Sequence, residues 1–411
     1  MQSPDDVLDT GALPNPLTDA QLLAGYARVD ELVYLSLGET WTPPAPGLVE
    51  ALSKVPAYAH GYTLAPYGLP ALRRALRAYI ARTHDLPSAG TYDVAVSQAG
   101  TRAAMSDFAQ LFHARHGARC TALVPDPGWD YVGILASLPF DIRQYSVTAE
   151  RGWQPDPDEL VRAMAPGTLL VLNPQHNPTG AEWSPQITAR LIEAAFERET
   201  AILIDDAYFA LHAPGRAPTN ALRVLVDRAA HACAPLWLAV RTLGKQFRCN
   251  GWGIGALTAH PDTLAGLVDV AHRRSYGTAI PLQAAMAEWL PAPEADSYLD
   301  QLRHHYASNR SRVARRLTDD LGFPHDAVHA GTCTSYMRFR VPPRFVQGDD
   351  EEAYRRACLE AGVLPGRGSM TTPLRRPGSS DRIAYVRIHL GHSSDVLDRA
   401  IERLHRAGLG W

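Results

Sequence analysis

The chain is almost without lysine. Of its 40 lysines and arginines only Lys54 and Lys245 are lysine, which leaves 38 arginines. Either cation serves a solvated surface, but an amine that must shed a proton and attack a carbonyl cannot be a guanidinium, which stays protonated. A lysine kept in such a background is a candidate for covalent chemistry; the competing explanation is a remnant of codon bias. Cysteine is scarce as well. The five present (Cys120, Cys233, Cys249, Cys333, Cys358) are odd in number and lack C-x-x-C spacing, which argues against a disulfide framework and for a reducing cytoplasm. A surplus of one charge is missing: 40 basic against 43 acidic residues leave a formal charge of -3, too little field to steer nucleic acid or an anionic membrane. No apolar run approaches a membrane span, and the start Met1-Gln2-Ser3-Pro4-Asp5-Asp6 is acidic where an export signal would be basic. The histidine pairs His113/His116, His304/His305 and His389/His392 have no further ligands at suitable spacing, so no metal site is expected.

What is present is a globular composition, 46% hydrophobic and 20% charged over 411 residues, with room for one large core and a smaller one. A short strand over Leu35 to Gly38 precedes helices of about 47 to 54 and 69 to 83. From about residue 90, short β-rich runs alternate with helices: Val94 to Ser97, Thr121 to Val124, Leu169 to Leu172, Ala201 to Ile204 and Leu236 to Val240. Alternation of this kind predicts an α/β fold, a mainly parallel sheet between helices. Pro291-Ala292-Pro293 breaks the pattern, and a long helix of about 294 to 319 opens a region whose strands and helices follow a different order. The expected organisation is an N-terminal arm that forms part of a small domain (1–49), a large domain (50–290) and a small α+β domain (291–411).

Each strand of the alternating region runs into a polar motif. These are Gly100-Thr101-Arg102, Pro127-Gly128-Trp129, His176-Asn177-Pro178-Thr179-Gly180, Asp205-Asp206-Ala207-Tyr208 and Thr242-Leu243-Gly244-Lys245. Ligands in open α/β sheets sit beyond the carboxyl ends of the strands, so the motifs converge. Singly, each has a plain explanation: a turn, a helix cap, a core aromatic.

Jointly, and with Gly251-Trp252-Gly253-Ile254-Gly255, Val363-Leu364-Pro365-Gly366 and Tyr385-Val386-Arg387, they resemble the class I/II aminotransferases of the fold-type I pyridoxal phosphate superfamily. The wording is closest to the branch with kynurenine and glutamine transaminases. The resemblance runs from about residue 35 to the end. It implies a seven-stranded, mainly parallel sheet and a homodimer with shared active sites, acting on an amino acid and a 2-oxo acid with pyridoxal 5'-phosphate as cofactor. It implies Lys245 as the Schiff-base lysine, Asp205 opposite the pyridine nitrogen, and Asn177 and Tyr208 on the ring oxygen. Trp129 would stack on the ring, and Gly100, Thr101, Arg102 and Thr242 would hold the phosphate. Arg387, with Asn177 and Gly38, would receive the substrate.

Two positions depart from the family pattern. Eight residues after the lysine, where the family places a cation on the phosphate, stands Gly253, so the missing charge is expected from Arg248 or Arg102. Tyr62 resembles the tyrosine lent across the dimer, but its spacing to Gly68 is one residue longer than usual, which leaves Tyr67 as a rival. A β-lyase, an amino acid oxidase or hydroxylase, and a non-catalytic sensor of the same fold remain the alternative readings, and the resemblance does not settle which amino acid is the donor.

Overall fold

Leucine, isoleucine and valine dominate the central strands of the larger sheet, whose residues are buried on both faces. The computed structural model describes residues 19–23, 26, 31–37, 42–87, 90–117, 120–274, 277, 279–345, 350–370 and 383–411. In chain order the strands are β1 (Val33–Leu35), β2 (Asp93–Ser97), β3 (Cys120–Asp126), β4 (Phe140–Thr148), β5 (Gln154–Pro155), β6 (Thr168–Leu172), β7 (Ala201–Asp205), β8 (Trp237–Thr242), β9 (Gly255–Ala259), β10 (Val328–His329), β11 (Tyr336–Arg340), β12 (Val363–Arg367) and β13 (Tyr385–His389).

The larger sheet has the order β2-β9-β8-β7-β6-β3-β4-β5. The run β8, β7, β6, β3, β4 is parallel, and β9 lies antiparallel between β8 and β2. All residues of β6 and β7 are buried, as a strand covered by helices on both faces requires. The expected seven strands are joined by an eighth, the two-residue β5 that pairs with the end of β4. From β3 the chain winds to β4 on one side, and from β6 to β7 and β8 on the other, so the winding reverses between β3 and β6. A crevice at such a reversal is where doubly wound sheets bind ligands.

The second sheet has the order β1-β12-β13-β11-β10. Its first strand spans Val33–Leu35, two residues earlier than the 35–38 expected from the sequence, and pairs parallel with β12. Residue Gly38 lies outside the described residues.

The helix Pro293–Asp319 joins the two sheets. Its buried positions Ala295, Leu299, Leu302, Tyr306, Val313 and Leu317 fall at helical spacing on one face. Ala295 and Leu299 pack in the core of the larger sheet, and the other four in that of the smaller. Farther along this helix, the buried Arg310 donates to the backbone carbonyls of Cys333 (2.8 Å), Thr334 (2.6 Å), Tyr336 (2.7 Å) and Ala330. Burying a guanidinium is costly unless its donors are satisfied, and here they hold the approach to β11 in place. Against that approach docks the turn at Gly180, whose carbonyl accepts from the N–H groups of Thr332 (2.8 Å) and Cys333 (3.0 Å).

Candidate active site

The polar motifs follow strands of the larger sheet at their carboxyl ends, and the one after β6 reaches β13 through Arg387. The tightest link among them is at Asp205, the last residue of β7. Its Oδ2 accepts from the Tyr131 hydroxyl at 2.7 Å, and its Oδ1 from the Ala207 N–H at 3.1 Å. Burial pushes the carboxyl above the usual carboxylate range, while the Tyr131 hydroxyl, the Ala207 N–H and the charge of Lys245 pull it back. A buried carboxylate held this way seeks a cationic donor.

Asn173 ties β7 to the next loop: its Nδ2 donates to the Asp205 carbonyl (2.8 Å) and its Oδ1 accepts from the Asn177 N–H (2.9 Å). Asn177 Oδ1 in turn accepts from Arg387 Nη1 at 3.1 Å, which joins the two sheets. Arg387 sits on β13, is 2% exposed and lies with its guanidinium carbon 4.0 Å from the centre of the Tyr336 ring. Its Nε is buried without a hydrogen-bond partner. A carboxylate taken in two-pronged fashion would satisfy that donor.

Lys245 lies in the short turn of helix Gly244–Phe247 after β8, with Nζ 5.9 Å from the centre of the Tyr208 ring. The other lysine, Lys54, is exposed and pairs with Glu50 at 2.7 Å. Trp129 meets Tyr131 edge-on at 5.7 Å, and the Arg102 guanidinium covers Trp129 at 4.9 Å while Nη2 reaches Asp130 Oδ2 at 2.7 Å.

The helix Gly100–His116 begins with no side-chain cap, which leaves first-turn N–H groups as an anion cradle. Gly100 itself is not one of the free donors: its N–H reaches the Gly253 carbonyl at 2.6 Å. The expectation for the phosphate therefore moves to the N–H groups of Thr101 and Arg102. Gly253 has φ +63, and a Cβ there would lie 3.4 Å from Gly100 N. The position that lacks the family's cation is thus a backbone clamp on the start of the helix. Thr242 Oγ1 accepts from the Gly244 N–H at 3.1 Å, which leaves its own proton for another acceptor.

Of the two proposed replacement cations, Arg102 is on the first turn of that helix. Arg248 is engaged elsewhere, with Nη2 donating to the Gly391 carbonyl at 3.1 Å and its guanidinium 5.8 Å from the Tyr306 ring. Tyr67 packs on its own core under Arg73 at 4.7 Å, whereas Tyr62 is 92% exposed.

Three residues of this network were not identified from the sequence. Tyr131 stands two residues beyond Trp129, Asn173 opens the Asn-Pro-Gln-His-Asn run, and Tyr336 precedes Arg387 by a whole strand crossing. Only the Tyr131 spacing offered a local signal.

The arrangement fits pyridoxal phosphate on this structure's own terms: a lysine amine, a buried carboxyl short of a cationic partner, an uncapped helix start and a buried arginine with an unpaired Nε. Among the described residues no group of three His, Cys, Asp or Glu side chains is placed to hold a metal, and no helix is long and apolar enough to cross a membrane.

Comparison with known proteins gives the same picture. Residues 35–404 match the family model described as aminotransferase class I and II. The chain is 28% identical over 268 residues to a Mycobacterium tuberculosis protein named "Probable N-succinyldiaminopimelate aminotransferase DapC", a match that spans 62% of each. It is 26% identical to the aspartate/prephenate aminotransferase of Thermus thermophilus, over 92% of this chain and 91% of that one. A solved Thermus thermophilus aspartate aminotransferase, a double mutant, superposes with a TM-score of 0.79 at 23% identity over 97% of this chain and 98% of the other.

Proposed function

The chain belongs to the class I and II aminotransferases, and on that premise we propose that it moves the amino group of an amino acid to a 2-oxo acid with Lys245 as its covalent and proton-moving residue. Pyridoxal phosphate, when bound, supplies an aldehyde that condenses with amines and a ring that accepts electrons as the substrate's Cα–H bond breaks.

The chain's own residues divide the remaining work. Arg387 binds the α-carboxylate, with Asn177 Oδ1 holding the guanidinium in place. That grip would set the Cα–H bond relative to Lys245, whose amine is the group placed to take the proton and hold it for return. Asp205, steadied by Tyr131 and the Ala207 N–H, would keep a negative charge opposite the pyridine nitrogen. With the cofactor bound, Tyr208 and Asn177 would serve the ring oxygen, Trp129 would cover one face of the ring, and Thr101, Arg102 and Thr242 would hold the phosphate. The observation that carries the reading is the chain of bonds Tyr131, Asp205, Asn173, Asn177, Arg387, which ties the electron-withdrawing end of the site to its substrate-gripping end.

The proposal extends to a homodimer. The segment around Tyr58, Tyr62 and Leu64 exposes 61%, 92% and 76% of those side chains, an unusual cluster on a surface that meets only water; in such a dimer Tyr62, more exposed than its rival Tyr67, would be the residue lent to the partner's phosphate. The domain division at residues 49 and 291 and a reducing, cytoplasmic setting belong to the same proposal, the latter supported by five unpaired cysteines.

The test is a visible spectrum of the purified holoenzyme during addition of single amino acids, with the 2-oxo acid product assayed. Bleaching of the chromophore with stoichiometric 2-oxo acid is the expected result. Oxygen consumption, or release of a side-chain fragment in place of the full-length 2-oxo acid, would overturn it.

A further inference from the structure

Asp206 follows Asp205 in the chain but faces different surroundings. It lies near His84, at the end of the helix Pro70–Thr83, and within the field of Arg241 on β8. All three are buried, at 1%, 0% and 2% exposure. Both carboxyl oxygens of Asp206, Nε2 of His84 and Nε of Arg241 have no hydrogen-bond partner. Four orphaned polar atoms in one buried cluster would be costly without a further proton or partner.

The protonation of His84 follows from its other neighbours. Asn220 Nδ2 donates to the His84 carbonyl (2.8 Å) and Asn220 Oδ1 accepts from the Arg223 N–H (3.1 Å), so the orientation of the amide is set by the network. The oxygen that faces His84 Nδ1 at 2.9 Å can only accept. Nδ1 therefore carries the ring proton, and the neutral ring turns the lone pair of Nε2 toward Asp206 Oδ2, 3.9 Å away. Two lone pairs do not face each other in a buried site without a proton between them.

We propose that Asp206 and His84 hold one proton between them behind Asp205. The proton sits on the Asp206 carboxyl, turned toward His84 Nε2 3.9 Å away, and Asp205 is left as the only charged member of the Asp205-Asp206 pair.

Other groups around the cluster agree. Burial, against the charge of Arg241, pushes Asp206 up to about 7, with Asp205 adding to the rise. Burial and Arg241 hold His84 down to about 3. Arg241 is spent on Thr83 Oγ1 (2.7 Å) and the Tyr79 hydroxyl (3.1 Å), and Phe209 stacks on His84 at 3.8 Å. From the remaining elements His212, Asp296 and Arg303 line the adjoining cleft.

The inference rests on the reading of Asp205 as the carboxylate opposite the pyridine nitrogen. A second full charge beside it would raise its proton affinity and weaken its hold on that nitrogen. Asp206 and His84 are positioning residues in this scheme.

The test compares Asp206→Asn, whose amide N–H can donate to His84 Nε2 as the acid does, with the parent holoenzyme, by melting temperature and by pH titration of the visible chromophore. A folded-state proton affinity above that of the unfolded chain makes the parent lose stability as pH rises from about 4 to about 7. Asn lacks that loss. Asp206→Asn should match the parent at about pH 4, exceed it by several degrees at about pH 8.5, and follow the parent's chromophore titration below pH 7 while departing above it. A variant less stable than the parent at the higher pH overturns the shared proton, because it would show a charged, paired carboxylate. Identical titrations over the whole range overturn the link to Asp205. Asp205→Asn is the control: if its chromophore also titrates as the parent's does, the reading of Asp205 has failed, and the stability comparison still decides the proton.

Discussion

The Tyr131 hydroxyl donates to Asp205 Oδ2 over 2.7 Å, across 74 residues of chain. Tyr131 is fully buried and burial also pushes its own proton affinity well up, so the hydroxyl remains a donor at any working pH. Tyr131→Phe leaves Asp205 with one donor fewer and raises its proton affinity further. A charge-assisted bond of about 1.5–3 kcal/mol corresponds to a kcat about 10- to 100-fold lower, with KM nearly unchanged. Steady-state kinetics on the best amino donor check this.

Gly253 is a backbone solution, not a vacancy for a cation. With φ +63 and Gly100 N 3.4 Å from an added Cβ, Gly253→Arg adds left-handed strain of about 1–2 kcal/mol and crowds the clamp. The expected outcome is a melting temperature lowered by a few degrees and no gain in cofactor affinity. Arg102→Ala should weaken cofactor affinity while Arg248→Ala leaves it unchanged. Equilibrium dialysis against pyridoxal phosphate measures all three.

Arg387→Gln removes the two-pronged grip but keeps a donor beside Asn177. KM should rise about 10- to 100-fold for every amino acid that is a substrate, and the resting chromophore should be unaltered. A change in the chromophore without a change in KM would place Arg387 at the cofactor instead.

Away from the site, Asp398 is held down to about 2 chiefly by its hydrogen bond from Arg312, helped by Arg316. A depressed carboxyl stabilises above its unfolded value and loses that contribution as pH falls through the folded one. Asp398→Asn should therefore melt below the parent at neutral pH, with the difference shrinking from about pH 4 toward pH 2.

The parallel sheet was legible because β6 and β7 are short unbroken apolar runs closed by polar turns, and such runs have few other uses in a chain this size. β4 was not anticipated: its inner half alternates exposed with half-buried residues, since it lies near the sheet's edge, and the sequence Phe-Asp-Ile-Arg-Gln mixes signals. Lys245, Asp205, Asn177 and Arg387 stand in motifs that can be read locally. Asn173 cannot, and Tyr131 offers only its spacing from Trp129, because each matters through a partner that only the fold brings close. The backbone bond from Gly100 to Gly253 was likewise invisible, since nothing in a glycine's identity says which carbonyl its N–H will meet.

The measurement that bears most directly on the account uses the chain's poverty in lysine. Borohydride reduction of the holoenzyme, followed by peptide mapping, fixes the cofactor to whichever amine holds it. The account predicts a single pyridoxyl label on Lys245 and none on Lys54, which is exposed and paired with Glu50. Label on Lys54, or a holoenzyme that takes no label, would contradict it.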